Sequence, residues 1–476
     1  MIALRPFRDA DLAETVTMWL RSMQAAYPNV AEIQRHRIDD ALPFFRDHIA
    51  SRCAVELATV DGRIAGLLAQ RGEWVDQLFI DVGDQRRGLG TLLLDNAKRR
   101  APAGLRLFTL RGNAPARAFY ARHGFSLISF GVSPAPENTP DVELIWPAGR
   151  LPPPLHLDTP FTELVGSAVP IQLAGMPGIA SPELAIAVAE AGGLAMIGAA
   201  MLPAAMLDAT LRALRTATRG AVGVTFLMPF LDPECVPVAA AQARVVEFFY
   251  GAPDPNLVET VHRGDALASW QVGSLDEARA AAAAGCDLII AQGTEAGGHV
   301  RGAEPLRRLL DAVCAAVTVP VVAAGGITSG TDLAAVLDAG AAAARLGTRF
   351  VTARESGAHP DYAEALLAAR GEQTVLTTAF AVEWPEAPHR VLRSAVAAAE
   401  SFAQPLTGSV EFAGQTLPLP RWSVFAPTRD THGAIEAMAL YAGSGVGGIS
   451  ARLPAAAIVR ELVEGAMASR RSRPTC

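Results

Sequence analysis

From residue 161 onward, short apolar runs alternate with alanine-rich stretches of helical period. The runs occupy residues 169–174, 194–198, 222–228, 245–250, 267–272, 287–292, 319–324 and 343–348. Runs this short and this continuously apolar have the pattern of strands buried on both faces. Helix signals fill most of the intervals. Ser181-Pro182 opens one helix and Gly192 closes it. Ser274-Leu275-Asp276-Glu277 is a capping box, and Gly285 ends the helix it starts. Eight strands alternating with helices predict a TIM (β/α)8 barrel, whose active site is built by loops at the C-terminal strand ends.

Residues 1–147 follow another pattern. A strand at 4–8 leads into a helix start at Asp9-Ala10-Asp11-Leu12. Residues 53–60 and 63–71 read as strands around the turn Asp61-Gly62, and 74–82 as a third. The loop Gln85-Arg86-Arg87-Gly88-Leu89-Gly90 opens a helix to about Arg100. A strand at 105–110 precedes the stretch 113–125. Residues 148–160, with Pro152-Pro153-Pro154, form a stiff extended linker, so a second domain is expected over 161–476.

Composition narrows the function classes. Half of the 476 residues are apolar and 19% are charged, enough for two or three domains. Residues 1–150 carry 19 basic and 17 acidic side chains, the remainder 22 and 31. Neither part has the basic excess of a nucleic-acid binder. Cys53, Cys235, Cys286, Cys314 and Cys476 are scattered without a CxxC pair, which suits reduced thiols. The chain starts without an apolar signal core, and its apolar runs fall short of about 20 residues, so a cytoplasmic protein without a membrane span is expected. Lys98 is the only lysine beside forty arginines, which excludes Schiff-base chemistry from the second domain. The histidines have no paired metal spacing, and no metal site is expected. His262, His359, His389 and His432 are expected at the surface or at helix caps.

The candidate chemistry lies after the last three runs. The sixth breaks into Gln292-Gly293-Thr294-Glu295-Ala296-Gly297-Gly298-His299. Glycines there let backbone amides approach a ligand, and an imidazole just past them suits proton transfer near neutral pH. Gly325-Gly326-Ile327 follows the seventh run and Gly347-Thr348 the eighth, where barrels frequently bind phosphate. A phosphate-bearing cofactor is therefore expected.

Together with Ile171-Gln172-Leu173-Ala174-Gly175-Met176, Ala191-Gly192-Gly193-Leu194 and Tyr441-Ala442-Gly443, these residues closely resemble the nitronate monooxygenases, an FMN-dependent family, over about residues 170–466. The resemblance implies a noncovalent FMN with its phosphate on Gly325, Gly326, Gly347 and Thr348. It sets Gln292 and Gly297 near the flavin and Met176 against its ring. His299 would take the proton α to a nitro group or orient a bound nitronate. O2 would be consumed, and a carbonyl compound and nitrite released. Three positions depart from the family pattern: Thr225 where Asn is usual, Arg345 where Gln is common, and Ser444 where Gln is usual. Thr225 and Arg345 are kept in the expected FMN-binding set, Arg345 as a cation that helps neutralise phosphate. Residues 380–427, with a helix at 390–402 and Pro405, Pro418 and Pro420, are expected to form a small cap shielding the flavin. An alternative on the same barrel is a flavin-dependent enoyl-acyl-carrier-protein reductase, which has a similar Gly-Gly-His loop and uses NAD(P)H.

In the first domain, a basic, Gly-bearing loop between a strand and a helix start favours a pyrophosphate. With the stretch from Asn113 through Tyr120 to Phe125, it closely resembles the GNAT superfamily of acyl-CoA N-acyltransferases. The resemblance covers nearly all of residues 1–147, including a closing strand at 141–146, and implies a mixed α/β fold with acetyl-CoA as co-substrate. Gln85, Arg86, Arg87, Gly88, Leu89 and Gly90 would hold its pyrophosphate, Asn113 its arm, and Tyr120 would protonate the leaving thiolate. Tyr120 equally fits a core aromatic on a helix. Glu73 and Asp76 fit a base for the acceptor amine and surface carboxylates alike, and the acceptor is not specified. An acetyl-CoA-sensing role for this domain is the non-catalytic alternative. Partners are expected to be small molecules, and a homo-oligomer is compatible with the sequence.

Overall fold

The computed structural model describes residues 1–134, 137–412 and 415–472; Cys476 lies outside the described residues. The chain divides into two compact units, Met1–Pro154 and Leu155–Cys476.

The first unit is a seven-stranded sheet: β1 (Ile2–Pro6), β2 (Ala54–Val60), β3 (Arg63–Arg71), β4 (Trp74–Ile80), β5 (Leu105–Leu110), β6 (Ser126–Val132) and β7 (Pro140–Trp146), in the order β1-β2-β3-β4-β5-β7-β6. All neighbours are antiparallel except β4 and β5, which are parallel and pair only at Trp74 with Arg106. The sheet therefore opens between them, and the helix Leu89–Arg100 begins in the chain that connects them. One face packs on that helix through Leu89, Leu93, Leu94 and Ala97, the other on the helix Leu12–Ala26 through Val16, Trp19 and Met23. β6 is absent from the sequence-based expectation, because Ser126, Ser129 and Gly131 break its apolar pattern.

The second unit contains the expected barrel. Its strands are β8 (Ile171–Leu173), β9 (Ala195–Gly198), β10 (Val222–Leu227), β11 (Val245–Phe249), β12 (Leu267–Val272), β13 (Leu288–Gln292), then, past a short β14 (Gly298–His299), β15 (Val321–Ala324) and β16 (Ala343–Leu346). The eight long-range partners are all parallel, in the order β8-β16-β15-β13-β12-β11-β10-β9. A parallel bridge between Gln172 and Leu194 joins the two ends. Ser181, Ser274 and Ser329 each accept a backbone N–H from the third residue of the helix they open.

Strand alternation sorts the barrel side chains. Phe226, Phe248 and Trp270 stand in register on β10, β11 and β12, with ring centroids 5.9 and 4.9 Å apart. Their neighbours Thr225, Glu247 and Ser269 therefore point to the opposite face. Beyond the barrel, β14 extends a small sheet with β17 (Thr374–Thr377) and β18 (His389–Leu392), and β19 (Leu406–Phe412), β20 (Gln415–Pro420) and β21 (Thr431–Gly433) form another. The helix expected at 390–402 is shorter, Arg393–Ser401, because its first residues belong to β18.

Candidate active site

A cavity of about 250 Å³ opens at the C-terminal ends of the barrel strands. The residues that the sequence singled out converge on it: Gln292 at the end of β13, Gly297 and His299 after it, Gly325 and Gly326 after β15, Gly347 and Thr348 after β16. Met176, Thr225 and Arg345 border the same space. So do Trp384, Val424, Phe425 and Ala426, which places part of the 380–427 segment on the cavity.

Backbone geometry explains the glycines of these loops. Gly326 has φ +70°, and a Cβ there would stand 3.1 Å from Cβ of Glu295. At Gly347 a Cβ would stand 3.5 Å from Met176 Sδ, which lines the same cavity. Bare backbone thus lines the cavity at the ends of β15 and β16, the position where barrels frequently hold phosphates. Gly297 has a different reason: its Cβ would come within 2.5 Å of the Gly443 amide nitrogen, so its loop docks directly on the 442–443 backbone. Thr348 reinforces that docking, its hydroxyl accepting the Gly443 N–H at 3.0 Å.

Gln292 is turned to its own loop. Its Nε2 donates to the His299 carbonyl at 2.9 Å, and its Oε1 accepts from the Arg301 N–H at 3.4 Å. These bonds tie the backbone of the His299 loop to the end of β13. Its Nε2 is buried and has no hydrogen-bond partner among the described residues. Burial, with the neighbouring His389, pushes the His299 imidazolium down to about 3, so the ring is neutral at physiological pH.

Arg345 departs from the expectation of a phosphate-neutralising cation. Its Nη1 is bound by the carboxylate of Glu247 and the side-chain carbonyl of Gln271. Glu247, fully buried, also accepts from Gln172 Nε2 at 2.8 Å and Thr225 Oγ1 at 3.1 Å. The two departures from the family pattern, Thr225 and Arg345, thus meet on one carboxylate inside the barrel. A buried cation needs such a partner, and its charge is neutralised there. Glu247 is missing from the sequence-based site, although a lone acid in the apolar run Val245-Val246-Glu247-Phe248-Phe249 marks it.

His389 is a second correction. Instead of lying at the surface it is fully buried, its Nδ1 2.8 Å from the Ala387 carbonyl and its Nε2 accepting the Phe380 N–H at 3.2 Å. Those contacts fix a neutral tautomer with the proton on Nδ1. His359, as expected, caps a helix, its Nδ1 accepting from the Asp361 N–H at 3.2 Å.

In the first unit, Gly88 (φ +84°) is the N-cap of the helix Leu89–Arg100 and supplies no side-chain cap, so the first turn keeps donors for an anion. Gly90 lies against the Phe119 ring, where a Cβ would stand at 3.3 Å, and Thr91 Oγ1 is 3.0 Å from His123 Nε2. The loop Gln85–Gly90 and the helix Ala114–Arg122 are therefore neighbours. Arg87 is ion-paired with Asp84, a buried carboxylate also bound by Arg63. Asn113 is the N-cap of its helix, its side chain accepting the Ala116 N–H at 3.1 Å. Tyr120 is buried against Phe119 and Phe125, with centroids 5.3 and 5.4 Å away, and burial raises its phenol well above the ordinary range. Asp76 accepts from Cys53 and Arg71, and Glu73 is 4.0 Å from Arg106.

Residues 158–236 and 234–465 match the family model "Nitronate monooxygenase". The chain belongs to the nitronate monooxygenase family. Residues 37–131 match the acetyltransferase (GNAT) domain. Nitronate monooxygenase from Pseudomonas aeruginosa is 30% identical over 355 residues, 64% of this chain and 98% of that protein. A protein from Rhodococcus jostii, (3aS,4S,5R,7aS)-5-hydroxy-7a-methyl-1-oxo-octahydro-1H-indene-4-carboxyl-CoA dehydrogenase, is 34% identical over 239 residues, 50% of this chain; the chain spans 66% of its length. Among solved structures, nitroalkane oxidase from Streptomyces ansochromogenes matches with a TM-score of 0.54 and 30% identity, over 66% of this chain and 99% of that one. FabK from Thermotoga maritima matches with 0.55 and 27%, over 66% and 98%. Family membership makes the barrel unit an oxidoreductase. No described helix is long and apolar enough to cross a membrane, and no metal-holding cluster of His, Cys, Asp and Glu occurs among the described residues.

Proposed function

We propose that the barrel unit is an FMN-dependent nitronate monooxygenase that oxidises alkyl nitronates or nitroalkanes with O2 to a carbonyl compound and nitrite. The observation that carries this reading is the unpartnered, buried Nε2 of His299 on the same cavity as the bare glycine backbone at the ends of β15 and β16. Gly325, Gly326, Gly347 and Thr348 would hold the FMN phosphate, and Met176 would pack at the ring. When bound, FMN supplies the redox chemistry that links nitronate and oxygen.

The chain's own residues supply orientation and a proton acceptor. Neutral His299 offers its Nε2 lone pair to the acidic C–H beside a nitro group. Its low affinity for protons in the free cavity rises when anionic charge develops a few ångströms away, since an opposite charge nearby favours the imidazolium. Gln292 holds the backbone of the His299 loop, and the 424–426 segment with Trp384 keeps water from the reacting atoms. Arg345, neutralised by Glu247, is left out of the proposed phosphate site.

His299→Ala in the full-length protein is expected to retain FMN while nitroethane turnover falls about 100-fold or more, the range of a lost general base. Nitrite release from nitroethane at the wild-type rate would remove His299 from catalysis.

For the first unit we propose an acetyl-CoA-dependent N-acetyltransferase. The open first turn at Gly88–Leu89 would receive the pyrophosphate, and Tyr120 would stay protonated to serve as an acid. We keep the boundaries 1–147 and 161–476, a linker at 148–160 and a cap at 380–427. One observation favours a second reading of the barrel: the Rhodococcus relative is named as a dehydrogenase of a CoA thioester. A nicotinamide-dependent oxidoreductase of acyl thioesters on this barrel would bleach a bound flavin with NADPH.

A further inference from the structure

His299 sits in an aromatic enclosure. The Trp384 ring stacks on its imidazole, with centroids 4.1 Å apart and planes at 22°. His389, Tyr441 and Tyr250 stand around it at 5.3, 5.6 and 6.2 Å. Each wall is itself braced. Trp384 is edge-on to Tyr250 at 4.5 Å and to Phe230 at 5.3 Å. The Tyr441 hydroxyl donates to the Val424 carbonyl at 2.7 Å, and His299 pairs with His389 across β14 and β18. Tyr250 has φ +69°, a strained conformation for a bulky residue, just where β11 ends beneath Trp384.

We propose that Trp384 is a positioning residue for His299, fixing the ring so that Nε2 faces the reacting carbon and offering its π face to the imidazolium formed in the proton transfer. This rests on His299 being the base. In that step the C–H bond at the nitro-bearing carbon breaks, and its electron pair is delocalised into the nitro group to give the nitronate. The proton forms a new N–H bond at Nε2. Positive charge then appears on a ring stacked against indole, the aromatic that attracts cations best. A preformed nitronate needs no such transfer. Trp384 therefore acts selectively on neutral nitroalkanes.

The test uses full-length, FMN-loaded protein carrying Trp384→Leu or Trp384→Phe, assayed with nitroethane and with ethyl nitronate. The ratio of kcat/KM for the two substrates is expected to fall about tenfold in Trp384→Leu and to return to within about threefold of wild type in Trp384→Phe. Should Trp384→Leu fail to fold, Trp384→Met, which fills the space with a flexible side chain, replaces it. Proton NMR provides a readout independent of turnover. The His299 Cε1–H signal, assigned by its loss in His299→Ala, is expected upfield in the wild type and moved downfield in Trp384→Leu. An unchanged ratio, or an unmoved signal, would reduce Trp384 to a wall of the cavity and overturn the proposal. A wild-type protein that oxidises ethyl nitronate but leaves nitroethane untouched would instead remove the base itself, and the proposal with it.

Discussion

At the scale of single residues, the His299 environment has a thermodynamic signature. The folded protein holds this imidazole at about 3 through burial, whereas an unfolded chain protonates near 6.5. Between those values the unfolded state binds the extra proton, so stability falls as pH drops through 6.5 and keeps falling until about 3. From pH 6.5 to 5 this group alone costs about 2 kcal/mol. His299→Gln removes that contribution. Its midpoint of thermal unfolding is therefore expected to fall less than the wild type's between pH 7 and 5, by several degrees. Parallel curves for the two proteins would mean that His299 is solvated. The glycine setting of His299 was legible in the sequence, because it follows an apolar run at a barrel strand end. The segment carrying Trp384 is legible as a cap over the cavity, but its stacking on His299 and the burial of His389 are not, since nothing in a linear pattern shows which aromatic returns to the loop from about 85 positions away. Arg345 was misjudged for a related reason: its counter-charge, Glu247, comes from another strand.

At the scale of elements, periodicity carried furthest where elements are buried on both faces. All eight barrel strands lie within the expected runs, and the differences sit at their ends. The run 343–348, for instance, stops at Leu346 because the helix Thr348–Val351 starts just beyond it. Half-exposed elements were less legible. β20 carries Pro418 and Pro420, which read as loop residues; the strand pairs only with β19, and an edge position tolerates proline. The loop-to-helix element 85–100 carries a prediction of its own. If the open helix start receives the pyrophosphate and Tyr120 acts only as an acid, Tyr120→Phe keeps CoA binding within about twofold. It loses acetyl transfer by about 100-fold, in the range of a missing general acid. Calorimetric titration with CoA beside a thiol-release assay measures both. An equal loss of binding would identify Tyr120 as a packing residue of its Phe119–Phe125 cluster.

At the scale of the whole molecule, the chain joins a nitronate monooxygenase barrel to a GNAT domain, each with its own core. In the proposed reaction the barrel holds FMN, and nitronate, rather than a reduced nicotinamide, delivers electrons to it. Purified full-length protein, loaded with FMN and kept anaerobic, would be followed by absorbance while propyl nitronate and then NADPH are added to separate samples. The expected result is bleaching of the flavin bands by propyl nitronate and none by NADPH. Bleaching by NADPH alone, or a protein that takes up no FMN, would contradict the claim.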